Sequence, residues 1–163
     1  LDSVTPEALQ AAVASGARVE RHPVDKDATD LELALEAALT AGVGRVIVVG
    51  GSGGRMDHFL ANALLLASPR FAALRPEWWT DGTRVVAIHD SADFSGRVGD
   101  LLTLLAVGGA ATGVSSEGLK WPLRADTLQP GSTRGVSNEF TGESARVSVD
   151  SGVLLGVHQR RER

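Results

Sequence analysis

Four glycines, an arginine and an aspartate occupy the segment Val49-Gly50-Gly51-Ser52-Gly53-Gly54-Arg55-Met56-Asp57-His58. A backbone without side chains approaches an anion closely and turns its amides toward it. Arg55 adds a two-pronged donor that matches phosphate oxygens. Asp57 adds an acceptor for a metal ion or a cationic group. A second group, Asp25-Lys26-Asp27-Ala28-Thr29-Asp30, lies one strand-and-helix unit upstream, and Asp2 stands near the start of the chain. Phosphoryl transfer needs oxygen ligands of this kind, one or two carboxylates holding Mg2+ beside the phosphates of the substrate. A third group is Gly118-Leu119-Lys120-Trp121-Pro122-Leu123 followed by Ser137-Asn138, in a chain with no tyrosine. An exposed indole face is a stacking platform for an aromatic or cationic ligand.

Each group also has a plainer reading. The glycine loop lacks the Lys-Ser or Lys-Thr of a Walker A loop, and Met56 stands where a dinucleotide fingerprint needs its third glycine. Taken alone it is compatible with a strand-to-helix turn that tolerates glycine, with Arg55 and Asp57 as a surface ion pair. Carboxylates at a helix start favour the helix dipole, and Asp27 or Thr29 serves as a cap. Trp121, considered by itself, reads first as a core or turn-packing ring, and Ser137-Asn138 as a turn pair. The four histidines have no metal-ligand spacing, although His58 sits beside the loop. No Gly-x-Ser-x-Gly elbow is present, which argues against a serine hydrolase.

The elements that must position these groups follow from periodicity and punctuation. Thr5-Pro6 is a helix start that runs to Gly16. Residues 18–22 read as a short strand. Thr29 followed by Glu32 is a capping-box signature, and Leu31, Leu35 and Leu39 form an apolar stripe at helical spacing. Val46, Ile47, Val48 and Val49 suit a buried parallel strand. Residues 57–67 read as a helix closed by Ser68-Pro69. Asp2, Asp27 and Asp30 each follow or end a strand-like segment, so in an open α/β sheet they gather with the glycine loop at the carboxyl edge. From Thr80-Asp81-Gly82 onward the pattern changes to short strands separated by turns, with candidates at 85–89, 101–107, 113–116, 146–149 and 153–157. The predicted fold is α/β: a partial parallel-sheet, Rossmann-like N-terminal domain over residues 1–82, then an all-β sandwich or barrel over 83–163.

The 163-residue chain is 43% hydrophobic and 22% charged, the balance of an ordinary globule, and its net charge of −4 argues against nucleic acid or an anionic membrane as partner. It has no cysteine, which excludes disulfides and thiolate metal sites and agrees with a reducing compartment. No apolar run approaches the roughly 18 residues that span a bilayer, and no signal peptide is visible. A cytoplasmic location is therefore expected.

Taken together and in order, the acidic segment 25–30, the loop 50–58, the segment 118–123 and Ser137-Asn138 resemble the thiamine pyrophosphokinase family, and the resemblance spans essentially the whole chain. Leu1-Asp2-Ser3 resembles the end of that family's Gly-Asp-x-Asp-Ser motif, so the family's opening strands and first aspartate would precede this chain. The resemblance implies ATP-dependent pyrophosphoryl transfer to the hydroxyl of thiamine, with Mg2+, and a homodimer whose sites lie between subunits. It assigns Asp2, Asp27 and Asp30 to Mg2+ and the triphosphate. Gly51, Gly53, Gly54 and Arg55 fall to the phosphates, with His58 beside them and Lys26 at a phosphate contact. Asp57 falls to the nucleotide and the attacking alcohol. Trp121 falls to thiamine, with Ser137 and Asn138 near it. Two alternatives stand beside this reading: a non-catalytic module that holds a nucleotide or thiamine, and a kinase for another small alcohol.

Overall fold

The computed structural model describes residues 4–20, 27–51 and 54–161. The first helix, α1 (Pro6–Ala14), begins where Thr5 accepts the Ala8 N–H at 3.2 Å and proline takes the first turn. In α2 (Asp30–Thr40), Thr29 accepts the Glu32 N–H at 3.2 Å, which is one half of the expected capping box. The Glu32 carboxylate is instead engaged by Arg70, 3.1 Å away, and Arg70 also pairs with Glu36. This ties α2 to the 3-10 turn Pro69–Leu74, and Leu35, Phe71 and Leu74 pack beneath the tie.

Strand β1 (Ile47–Val49) leads into the glycine loop and α3 (Met56–Leu66). Strand β2 (Glu77–Thr80) pairs parallel to β1, as the β-branched run predicts, but β1 lies at the end of the sheet path. Ile47 and Val49 are exposed and Val48 alone packs inward, so the expected burial of both faces is not found. The strand expected at 18–22 is also not formed at residues 18–20; residues 21 and 22 lie outside the described residues.

The Asp81-Gly82 turn, with φ of 44° and 72°, folds β3 (Thr83–Ile88) back on β2. Aspartate followed by glycine suits such a turn because both central residues need positive φ. Next come β4 (Ser91–Ser95), β5 (Leu101–Glu117), β6 (Asp126–Leu128), β7 (Asn138–Glu139), β8 (Ser144–Ser148) and β9 (Ser151–Gln159). The path β1-β2-β3-β9-β5-β8-β4 makes one mixed sheet, to which β6 and β7 add along β5. The expected strands 101–107 and 113–116 are a single long strand whose pairing with β9 shifts register between Val107 and Thr112. There the strand passes from one partner set to another, with β8 taking Ser115 to Glu117. The architecture is mixed α/β, and hydrogen-bonded pairing continues through the turn at residue 82.

Strands β3 and β9 serve two cores. Val85 and Leu155 face the cluster with Leu66, Trp78 and the partly buried Phe59 of α3. Val86, Ile88 and Leu154 face the cluster that contains Phe94, Leu102, Phe140 and Val147. Successive strand residues point to opposite faces, so a sheet covered on both sides reads as a continuous apolar run. Gly156 lies where any Cβ would stand 2.8 Å from Phe94 Cζ. The bare backbone lets that ring lie against the strand.

A buried histidine–carboxylate contact closes the second core. Asp100 and His158 are 3% and 4% exposed, with Oδ2 and Nε2 3.4 Å apart. Asp100 also accepts the backbone N–H of Arg97 at 2.9 Å and that of Arg161 at 3.1 Å. Burial pushes the His158 imidazole below its ordinary 6.5, and the attraction of Asp100 does not reverse the shift. Burial pushes Asp100 the other way, but the two backbone N–H groups and His158 outweigh it, so its carboxyl titrates below 3.8. Both groups bind fewer protons folded than unfolded, so stability is fully present above the unfolded values and falls on acidification. The His158 contribution is lost first, as pH drops from 6.5 toward its lower folded value. The expected result is a melting temperature that falls between neutral pH and about pH 5, and a flatter profile in His158→Gln. Equal slopes in the two proteins would assign the acid sensitivity elsewhere.

Candidate functional site

The carboxyl end of β1 delivers the chain into the glycine loop. Gly50, Gly51 and Gly54 have φ of 82°, 84° and 79°, a region that side chains make costly. Three glycines in this conformation within five residues are a backbone requirement, which a merely tolerant turn would not impose. Gly53 lies outside the described residues. The Gly50 N–H donates to Trp79 O at 3.0 Å, which extends the β1–β2 pairing by one residue into the loop.

Arg55 stands at the N-cap position of α3 without capping it through its side chain, and Asp57 lies in the first turn. The Arg55 guanidinium grips the Asp57 carboxylate through Nη2 at 2.5 Å and Nε at 3.2 Å, and both side chains are about two-thirds exposed. The hydrogen bond from Arg55 holds the Asp57 carboxyl at about 2, and the same bond raises Arg55 above its usual range. The sequence-level reading of this pair as a surface ion pair therefore describes its geometry in the folded chain. Its chemistry follows from that geometry. A phosphate bound by Arg55 competes with Asp57 for the same fork of donors, and Asp57 is too weak a base to take a proton near neutral pH. His58 is exposed at the following position.

Asp27 is exposed, and Asp30 is the first residue of α2. Two carboxylates at one helix start are hard oxygen donors of the type Mg2+ takes, with phosphate and water completing the shell. Asp2 and Lys26 lie outside the described residues. Among the described residues, no group of three His, Cys, Asp or Glu side chains converges as a metal cage.

Trp121 is 55% exposed, so its reading as a core ring does not hold. Its backbone is clasped by Asn138, a buried side chain that accepts the Trp121 N–H at 3.0 Å and donates to Trp121 O at 2.7 Å. Asn138 thus spends both ends of its amide on one residue and fixes where the exposed ring emerges. Lys120 Nζ lies 4.7 Å from the Trp121 ring centroid and 3.1 Å from Glu139. A cation already rests on this indole, as the negative face of the ring favours. Ser137 is exposed at φ 58°, and its N–H donates to Thr103 Oγ1 at 3.0 Å.

The sheet brings the two groups to one rim. Val49 pairs with Trp79, Trp79 with Arg84, Arg84 with His158, His158 with Leu102, and Leu102 with Asn138. One row of residues thus runs from the strand end that launches the glycine loop to the side chain that clasps Trp121. Five inter-strand steps separate its ends, about 24 Å along the sheet. Sequence reasoning finds both ends of this row but misses Trp79, Arg84 and His158 in its middle. Trp78 and Trp79 carry no motif, and pairing across 56 or more residues leaves no local signal.

The family model described as thiamin pyrophosphokinase, catalytic domain, matches residues 1–75, and the one described as thiamin pyrophosphokinase, vitamin B1 binding domain, matches residues 88–154. Thiamine pyrophosphokinase 1 of Oryza sativa subsp. japonica is 23% identical over 98% of this chain, which spans 64% of the rice protein's length. Thiamine pyrophosphokinase of Bacillus subtilis is 24% identical over 96% of the chain and 74% of its own length. The crystal structure of the B. subtilis protein superposes with a TM-score of 0.81 over 99% of this chain and 76% of that one. Thiamin pyrophosphokinase from Candida albicans keeps a TM-score of 0.70 at 14% identity, over 97% of this chain and 70% of that one.

Proposed function

Because the chain belongs to the thiamin pyrophosphokinase family, we propose that it transfers pyrophosphate from ATP to the hydroxyl of thiamine, yielding thiamine diphosphate and AMP. The observation that carries this reading is the shared rim: a glycine loop with an arginine at one end, and an exposed, rigidly clasped indole at the other. In the proposed reaction the thiamine oxygen attacks the β-phosphorus of ATP. The bond from that phosphorus to the bridging α,β oxygen breaks, AMP leaves, and the hydroxyl proton is lost to solvent. Such in-line transfer draws mainly on positioning and charge neutralisation.

Residues 1–82 would carry ATP on a Rossmann-like partial sheet, and residues 83–163 would carry thiamine on a sandwich; the separate family models support this division. The backbone of Gly51, Gly53 and Gly54 would cradle the phosphates, with Arg55, Lys26 and His58 around them. Asp27 and Asp30, joined by Asp2, would hold Mg2+, which when bound offsets phosphate charge. Asp57 would orient the attacking hydroxyl, since its carboxyl stays ionised down to about 2. Trp121 would stack on the cationic thiamine, with Ser137 and Asn138 setting its place.

The rim geometry also supports the homodimer. Reacting atoms must come to about 3–3.5 Å of each other. The two ends of the row are far more widely spaced along one sheet, so a second copy is the natural supplier of the opposite wall. A cytoplasmic setting is part of the same proposal; among the described residues no helix is long and apolar enough to cross a membrane.

The test is AMP release from ATP and Mg2+ with and without thiamine. The expected result is AMP and thiamine diphosphate formed in equal amounts, only when thiamine is present. Binding of both ligands without AMP would replace this reading with the non-catalytic module. AMP release with another alcohol but not with thiamine would replace it with the other kinase.

A further inference from the structure

The indole of Trp78 is fully buried, yet it reaches the first glycine of the loop, donating from Nε1 to Gly50 O at 2.5 Å. The Phe59 ring lies over it, with centroids 4.9 Å apart and planes tilted by 45°. A Cβ placed on Gly51 would stand 3.7 Å from both Trp78 Cζ2 and Nε1, so the next residue of the loop also lies against the same ring. Gly50 is thus held from two sides, its N–H by Trp79 O and its carbonyl by the Trp78 indole.

From this arrangement we infer that Trp78 is a positioning residue for the nucleotide: it fixes the plane of the Gly50–Gly51 peptide, and with it the direction of the Gly51 N–H. The inference rests on the reading of the glycine loop as a phosphate cradle. A peptide held through its carbonyl cannot turn about its own axis, so the amide that follows keeps one direction. Glycines at positive φ would otherwise sample many backbone states, and every state lost on binding weakens affinity. Trp78 touches no substrate in this scheme. It acts only through the loop, and its partner Phe59 belongs to α3, the helix that carries Arg55 at its start. One buried ring therefore sets both the cradle and the helix that follows it.

The experiment measures ATP and thiamine affinity by calorimetry on the full chain, with hydrogen exchange of the 47–56 segment as a local readout. Trp78→Phe keeps an aromatic ring against Phe59 and removes the N–H. Loss of one such hydrogen bond predicts ATP binding weakened by about three- to tenfold, unchanged thiamine binding and faster exchange in the loop. Arg55→Ala is measured beside it. If Arg55→Ala weakens ATP and Trp78→Phe does not, the positioning role is overturned while the cradle stands. If neither variant changes ATP affinity, the cradle reading fails and the positioning role fails with it. Should Trp78→Phe not fold, Phe59→Leu retains the N–H and removes the ring that holds the indole in its plane. The same ATP-selective loss is then expected, and an equal loss for both ligands would make Trp78 a packing residue only.

Discussion

Replacing Asp57 with alanine is expected to lower the turnover of thiamine diphosphate formation on the order of a hundred- to a thousandfold at saturating ATP and Mg2+. The argument begins with its pairing. The carboxylate is held at about 2 by the hydrogen bond from Arg55, so it is a fixed negative charge near neutral pH. A fixed charge orients a hydroxyl or a cation but does not accept a proton near neutrality. In the proposed reaction its removal would cost alignment and field, and it leaves Arg55 without the carboxylate it grips. The freed guanidinium then binds phosphate without competition, so the KM for ATP should stay level or fall while kcat collapses. That split separates Asp57 from a residue that merely helps ATP bind, which would raise KM at constant kcat. Asp57→Asn, which keeps the shape and loses the charge, should fall nearly as far as alanine. A steady-state assay in which either variant retains near-normal kcat would remove Asp57 from the reaction.

Replacing Trp121 with alanine is expected to weaken thiamine binding by about tenfold, with little change for ATP, because a desolvated cation on an indole face contributes up to about 2 kcal/mol. The ring is more than half exposed, so its removal leaves no cavity in the core and the fold should survive. Its backbone is fixed by Asn138, and that clasp is made to main-chain atoms which alanine retains. The expected loss is therefore confined to the stacking surface. Lys120 already rests against this ring, balanced by Glu139, so an incoming cation must displace an ammonium from one face or use the other. Calorimetry with thiamine and ATP separately checks the prediction. Equal losses for both ligands would make the ring a general support rather than a platform.

The sequence is most legible where the chemistry is local. Three positive-φ glycines, a forked ion pair two residues apart, and a threonine capping α2 are properties of neighbours, and their spacing announces them. The β-branched run at 46–49 marks a parallel strand by the same logic, but which strand lies at the sheet's end is decided by the order of pairing. Ile47 and Val49 are exposed for that reason, although their residue types suit burial. Strands β2 and β4 are missed because Glu77 and Asp93 are charged positions whose tolerance comes from partners elsewhere. Arg84 reaches Glu77 at 2.9 Å and the Asp93 carbonyl at 3.1 Å. The candidate site shows the same division. Its loops and its exposed indole can be read from residue types, whereas the clasp of Asn138 on Trp121 and the hold of Trp78 on Gly50 link residues 17 and 28 positions apart.

Strands β3 and β9, which face a core on either side, also govern the order in which the chain can fold. Their register joins Thr83 to Gln159 and Ile88 to Leu154, so neither core closes until the last strand of the chain has arrived. Closing so long a loop costs entropy before any contact compensates for it, and topologies of this kind fold slowly. While the chain emerges in order from a ribosome, the glycine loop and its helix must wait beside an open edge. The proposed phosphate cradle acquires its full floor only when β9 packs Leu155 into the cluster that holds Trp78. Ligand-binding competence in the first half is thereby tied to completion of the second.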